Sequence, residues 1–152
     1  DTKMIADLAA TIERQRVQIV SLEGSLDSLN TEVRTLGSRH YQAYYVVGTE
    51  KELIEKGVIV KEGGANLLFI RPGQTLAPAR VLDVADFQPV DQRDIALIPV
   101  PDSTKKYKVV SRQTLDAAEV AWRDGTSFRG DLKIAKRDEF WAPSRFLILV
   151  EQ

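Results

Sequence analysis

The chain has 152 residues, no cysteine, and 21 Lys plus Arg against 22 Asp plus Glu, for a formal net charge of -1 at pH 7. That length allows one domain, or one domain plus an extension. The missing thiols exclude disulfides, zinc–thiolate sites and cysteine nucleophiles, and the balanced charge argues against a nucleic-acid binder or a polybasic membrane-surface protein, both of which need a basic stripe.

The sequence opens at Asp1 inside a helical pattern, which reads as a processed or truncated N-terminus. No run approaches the roughly 20 apolar residues of a membrane helix, so no transmembrane segment is expected. In the first forty residues the apolar side chains recur at spacings of three, four and seven. The a positions of this heptad repeat are Ile5, Ile12, Ile19, Leu26 and Val33, and the d positions are Leu8, Gln15, Leu22, Leu29 and Leu36. Only Gln15 interrupts the apolar seam. The segment would span about 48 Å at 1.5 Å per residue, and residues 44–152 contain no matching heptad run to cover it. These ten residues are therefore the expected oligomer interface, with a second copy of the chain as the expected partner.

Mostly β-branched a residues with Leu at d favour a parallel dimer, while Leu26 and Gln15 leave a trimer open. Few complementary charges flank the seam: Gln18 to Glu23 is the best offered, and Glu32 faces Gly37. Gly24 and Gly37 lower helix propensity. The alternative, one amphipathic helix lying on its own domain, fits poorly with so long and strict a seam. His40 and Ala43 continue the register, so the helix is expected to reach about Gln42. The expected division is a coiled-coil helix over 1–43 and a β-rich domain over 44–152.

Tyr44 to Val47, aromatic and β-branched, predicts a strand. Thr49-Glu50-Lys51-Glu52 predicts a capping box opening a short helix, with Leu53 and Ile54 inward and Gly57 as its stop. Strands are expected at Val58 to Val60 and Leu67 to Ile70 around Gly63-Gly64, with a turn at Arg71-Pro72-Gly73-Gln74. Val81 to Phe87 is ambiguous. Further strands are expected at Ile95 to Ile98, at Lys106 to Ser111 after the turn Pro101-Asp102-Ser103, and at Leu132 to Ala135. Leu115 to Trp122 fits helix or strand, but Asp124-Gly125 suits a tight hairpin turn. That favours Val120 to Trp122 as a strand paired with Ser127 to Phe128. Phe146 to Val150 is apolar on both faces and should sit centrally in the sheet. The expected class is α+β: a long N-terminal helix, then a small mainly-β barrel or sandwich with one short helix.

Tyr44-Tyr45-Val46-Val47-Gly48-Thr49-Glu50-Lys51-Glu52-Leu53, followed by Gly57-Val58-Ile59, resembles a segment of uncharacterised exported bacterial proteins, often lipoproteins, in which a coiled coil precedes a small β domain. Leu132-Lys133-Ile134, Phe140-Trp141 and Phe146-Leu147-Ile148-Leu149-Val150 are similar to the end of the same family. The resemblance covers most of residues 40–152 and implies a cell-envelope or extracellular location. It brings no activity and no functional residues. The lipid-bearing N-terminal Cys common in such proteins is absent here.

Residues that carry chemistry are sparse. His40 is the lone histidine, and its place at the end of the heptads points to capping or packing. Asp83, Asp86, Asp91 and Asp94 crowd one stretch but match no calcium-loop spacing. Asp138 and Glu139 beside Phe140 and Trp141 could suit sugar hydrolysis, yet neighbours on a strand point apart. Trp122, Phe128, Phe140 and Trp141 would form either core or a carbohydrate-stacking platform. Arg123, Arg129, Lys133, Lys136 and Arg137 make the C-terminal region locally basic, diluted by acidic neighbours. Gly63-Gly64 lacks the Lys-Ser/Thr of a phosphate loop. No catalytic residue, metal site or cofactor is expected. The expected function is a structural or interaction protein of the bacterial envelope or exterior, self-associating as a homodimer or homotrimer, with assembly into a fibre as its extension. Other envelope proteins and glycans are the further expected partners, and the alternative is a glycan- or ligand-binding module displayed on an oligomeric stalk.

Overall fold

A computed structural model describes residues 1–63 and 75–152. The chain divides into two compact units, Asp1–His40 and Tyr41–Gln152. The first is almost the whole of helix α1 (Thr2–Tyr41), an uninterrupted α-helix with no buried residue. Asp1 caps its start, accepting from the Lys3 N–H at 3.0 Å. No helix among the described residues is long and apolar enough to cross a membrane.

The second unit begins with β1 (Gln42–Thr49) and α2 (Glu50–Glu55), followed by β2 (Ile59–Glu62), β3 (Thr75–Pro78), β4 (Gln88–Asp91), β5 (Leu97–Ile98) and β6 (Lys106–Val109). After these come β7 (Ala118–Glu119), β8 (Trp122–Asp124), β9 (Ser127–Arg129), β10 (Leu132–Ile134), α3 (Arg137–Trp141) and β11 (Phe146–Glu151). Six strands form one open sheet in the order β4-β1-β11-β6-β9-β8. Its edges are β4 and β8, so it is no barrel. β5-β10-β7 and β2-β3 make two smaller sheets. The class is α+β, as the sequence predicts.

β11 explains the layering. Its odd-numbered side chains, Leu147 and Leu149, enter one core with Tyr107, Phe128, Ile98, Leu132, Phe140 and Trp141. Its even-numbered Ile148 and Val150 enter a second core with Leu53, Val58, Ile59 and Phe87. The first core joins the six-stranded sheet to β5-β10-β7 and α3. The second joins the opposite face to α2 and β2-β3. A strand between two cores must be apolar on both faces, and the central place expected for Phe146 to Val150 follows. β1 runs parallel to β11, with Tyr44 opposite Phe146 and Thr49 opposite Glu151.

Local signals behave as chemistry requires. The Thr49 side chain accepts from the Glu52 N–H at 3.1 Å and opens α2. At its end, the Val58 N–H bonds the Leu53 carbonyl and the Gly57 N–H bonds the Ile54 carbonyl. This is a Schellman closure, which puts Gly57 at φ 73. The β8–β9 hairpin turns through Gly125 at φ 63.

Several expectations need correction. The helix stops at Tyr41, because Ala43 is fully buried in the β core and pairs with Val90. Ile54 faces outward: a helix of only six residues turns one narrow face inward, and Leu53 fills it. The hairpin pairs Trp122–Asp124 with Ser127–Arg129, two residues further along than Val120 to Trp122. β5 retains only Leu97 and Ile98 of its expected run, and β6 ends at Val109 rather than Ser111, whose hydroxyl instead accepts from the Ile148 N–H at 2.9 Å. Val81 to Phe87 contains a single 3-10 turn, and so does Leu115 to Ala117. Strand β3, edge strand β4 and helix α3 are not foreseen. The predicted strand Leu67 to Ile70, the turn Arg71 to Gln74 and Gly64 lie outside the described residues.

Candidate functional site

The ten heptad positions are all in α1. Its nine apolar a and d side chains are each between 55% and 68% exposed. The helix is supported locally: Thr11, Thr31 and Thr35 hydroxyls donate to the carbonyls of Asp7, Asp27 and Thr31. These bonds lie off the seam and leave its side chains unengaged. Val17 and Val20 are exposed away from the seam, and Met4 is exposed beside it. One long row of apolar side chains stands in water, a surface of the kind that buries itself against a similar row.

The candidate residues for other chemistry disperse. His40 is exposed in the last turn of α1. The four aspartates serve their own turns. Asp83 accepts from the Ala85 N–H at 2.9 Å to cap a 3-10 turn. Asp91 takes the Arg93 guanidinium on both oxygens, at 3.0 and 2.6 Å, and the Arg93 backbone N–H at 2.9 Å. Those bonds hold its carboxyl below the usual 3.8, at about 2. The same guanidinium lies 4.7 Å from the centre of the Tyr41 ring. Among the described residues, no group of three or more His, Asp or Glu is placed to hold a metal ion.

Asp138 and Glu139 lie in the first turn of α3, not on a strand. Their nearest cations are sequence neighbours, Arg137 at 3.5 Å and Lys136 at 3.8 Å. Nothing turns the two carboxylates toward a common point.

The four aromatics split. Phe128, Phe140 and Trp141 are core residues, with Phe140 and Trp141 edge to face at 5.1 Å. Trp122 alone is exposed, at 38%. A platform joining Trp122 to Trp141 is therefore not formed. Lys106 Nζ and the Arg129 guanidinium lie instead 5.3 and 5.1 Å from the Trp122 ring centre. Sequence reading missed this grouping because it depends on the register of three strands. The signal available was the alternation in Lys106-Tyr107-Lys108, where the cations must share the face opposite a buried Tyr.

The chain matches no family model, and no curated protein or solved structure matches it.

Proposed function

We propose that this chain is a structural or interaction protein that self-associates through the a/d stripe of α1 and presents its β unit to neighbours. The observation that carries the reading is the row of nine apolar side chains, each more than half exposed along one heptad seam. A pattern of three and four residues keeps one face toward a partner over five heptads, as a coiled coil requires. Ile at three a positions and Leu at four d positions favour a parallel pair, while Leu26 and Gln15 leave a trimer open. What supports an envelope or extracellular setting is the resemblance read from Tyr44 to Ile59 and from Leu132 to Val150 to exported bacterial proteins.

Light scattering on the full chain tests this. Wild type should have a mass two or three times 17.0 kDa at micromolar concentration. Leu22→Glu with Leu29→Glu should give a 17.0 kDa monomer whose β unit melts as in wild type. A monomeric wild type overturns the reading, and so does a double variant that associates undiminished.

A further inference from the structure

We propose that the open face of the six-stranded sheet around Trp122, Arg129 and Lys106 binds an acidic glycan, stacking a sugar ring on the indole and holding its carboxylate on the two cations. Register puts these residues in one row: Lys106 is opposite Arg129, and Arg129 is opposite Trp122. The next residues along, Tyr107 and Phe128, are fully buried and point into the first core. Alternation therefore turns the row to the other face of the sheet. There the second core ends. It is built on the β1 and β11 side chains with α2 and β2-β3, and none of the β9 or β8 residues belongs to it. Among the described residues, the face beyond it stays open.

The charges on this face are unbalanced. Arg123, opposite buried Phe128 and so on the other face, and Lys105, which precedes β6, pair with Asp116 and Glu151 at 2.8 and 2.6 Å. Lys106, Lys108 and Arg129 carry no ion pair among the described residues. Across β6, β9 and β8 this face carries three cations, Lys106, Lys108 and Arg129, against one carboxylate, Asp124, an excess that is complementary to an anion on a chain whose net charge is -1. Trp122 decides its chemistry. The indole π face, which holds the two cations at 5.1 and 5.3 Å, carries partial negative charge and attracts the C–H face of a sugar that displaces them, and the displaced guanidinium matches a carboxylate with two parallel N–H bonds. The row spans two strand spacings, about 9.6 Å. In the neighbouring row, Asp124 and Ser127 offer acceptors and a hydroxyl for sugar hydroxyls, Ser127 already bonding Gln152 at 2.8 Å. A nucleic acid fits less well, because it needs successive rings for successive bases.

The probe is trigalacturonate, with maltotriose as the neutral control. The chain has two tryptophans, and Trp141 is 3% exposed, so a change in indole emission reports Trp122. Trigalacturonate should quench it saturably, maltotriose should not, and Lys106→Gln with Arg129→Gln should weaken binding at least tenfold. Calorimetry with Trp122→Phe should show the same loss. All three side chains are exposed, so unchanged melting of the variants verifies their folding. No saturable binding at low salt overturns the proposal, as does binding indifferent to the double variant, or tighter binding of oligothymidylate through the same residues. The site does not depend on the coil: the Leu22→Glu, Leu29→Glu chain should bind with unchanged affinity per site.

Discussion

The two units use the same residue types to opposite ends. Leu147, Ile148, Leu149 and Val150 are at most 1% exposed, each with neighbours supplied by its own chain. Leu22, Leu26, Leu29 and Val33 are 57% to 66% exposed, with no buried residue anywhere on their helix. At roughly 25 cal/mol per Å² of buried apolar surface, the β unit has realised its hydrophobic stabilisation, whereas the apolar stripe of α1 has not. On the proposed self-association, stability of the β unit should be independent of concentration and stability of the helix should rise with it.

The sharpest way to separate them is to damage one and read the other. Leu149→Ala opens a cavity in the centre of the first core and should cost the β unit about 2–5 kcal/mol. Near-ultraviolet circular dichroism should follow that loss, while the mass from light scattering stays that of wild type. A change in oligomeric state on this substitution would break the comparison. On the helical side, Gly24 lies off the seam, and a Cβ added there meets nothing within 4 Å. Gly24→Ala should strengthen α1 by about 1 kcal/mol, seen as a higher helical melting midpoint with the β transition unmoved.

The smallest expected effect is electrostatic and belongs to the β unit alone. The folded Asp91 carboxyl, at about 2, lies below the ordinary 3.8. Between those values the unfolded chain binds more protons than the folded one, so stability falls as pH falls. The contribution of this exposed pair is fully present above about pH 4 and is lost toward pH 2. Asp91→Asn should remove that part of the pH dependence, measured by urea unfolding of the β unit at pH 5 and pH 2.5.

What was legible in the sequence was whatever a short window contains. The heptads, the Thr49 cap, the Gly57 stop, the Gly125 turn and the two-faced apolar run of β11 each declare themselves within a few residues. The failures share a cause, dependence on distant partners. Gln88-Pro89-Val90-Asp91 looks like a loop, because proline cannot donate to a ladder. It is a strand because it lies at the sheet edge, with Pro89 opposite Tyr44. Helix α3 has five residues, too few for a period to show, and Lys136 gives it no side-chain cap. Among the candidate sites, the α1 seam is local and could be read directly, whereas Lys106, Arg129 and Trp122 meet only through the pairing of β6, β9 and β8.

The parallel pairing of β1 with β11 has a mechanical consequence. β1 follows α1 directly, so tension along the helix enters β1 at Gln42. Tension on the other end of the unit enters β11 at Glu151, at the opposite end of the paired segment. The two strands are pulled past each other lengthwise. Their backbone hydrogen bonds share the force at once and cannot open one by one like a zipper. A β unit hung from its helix in this way resists extension with its whole central ladder.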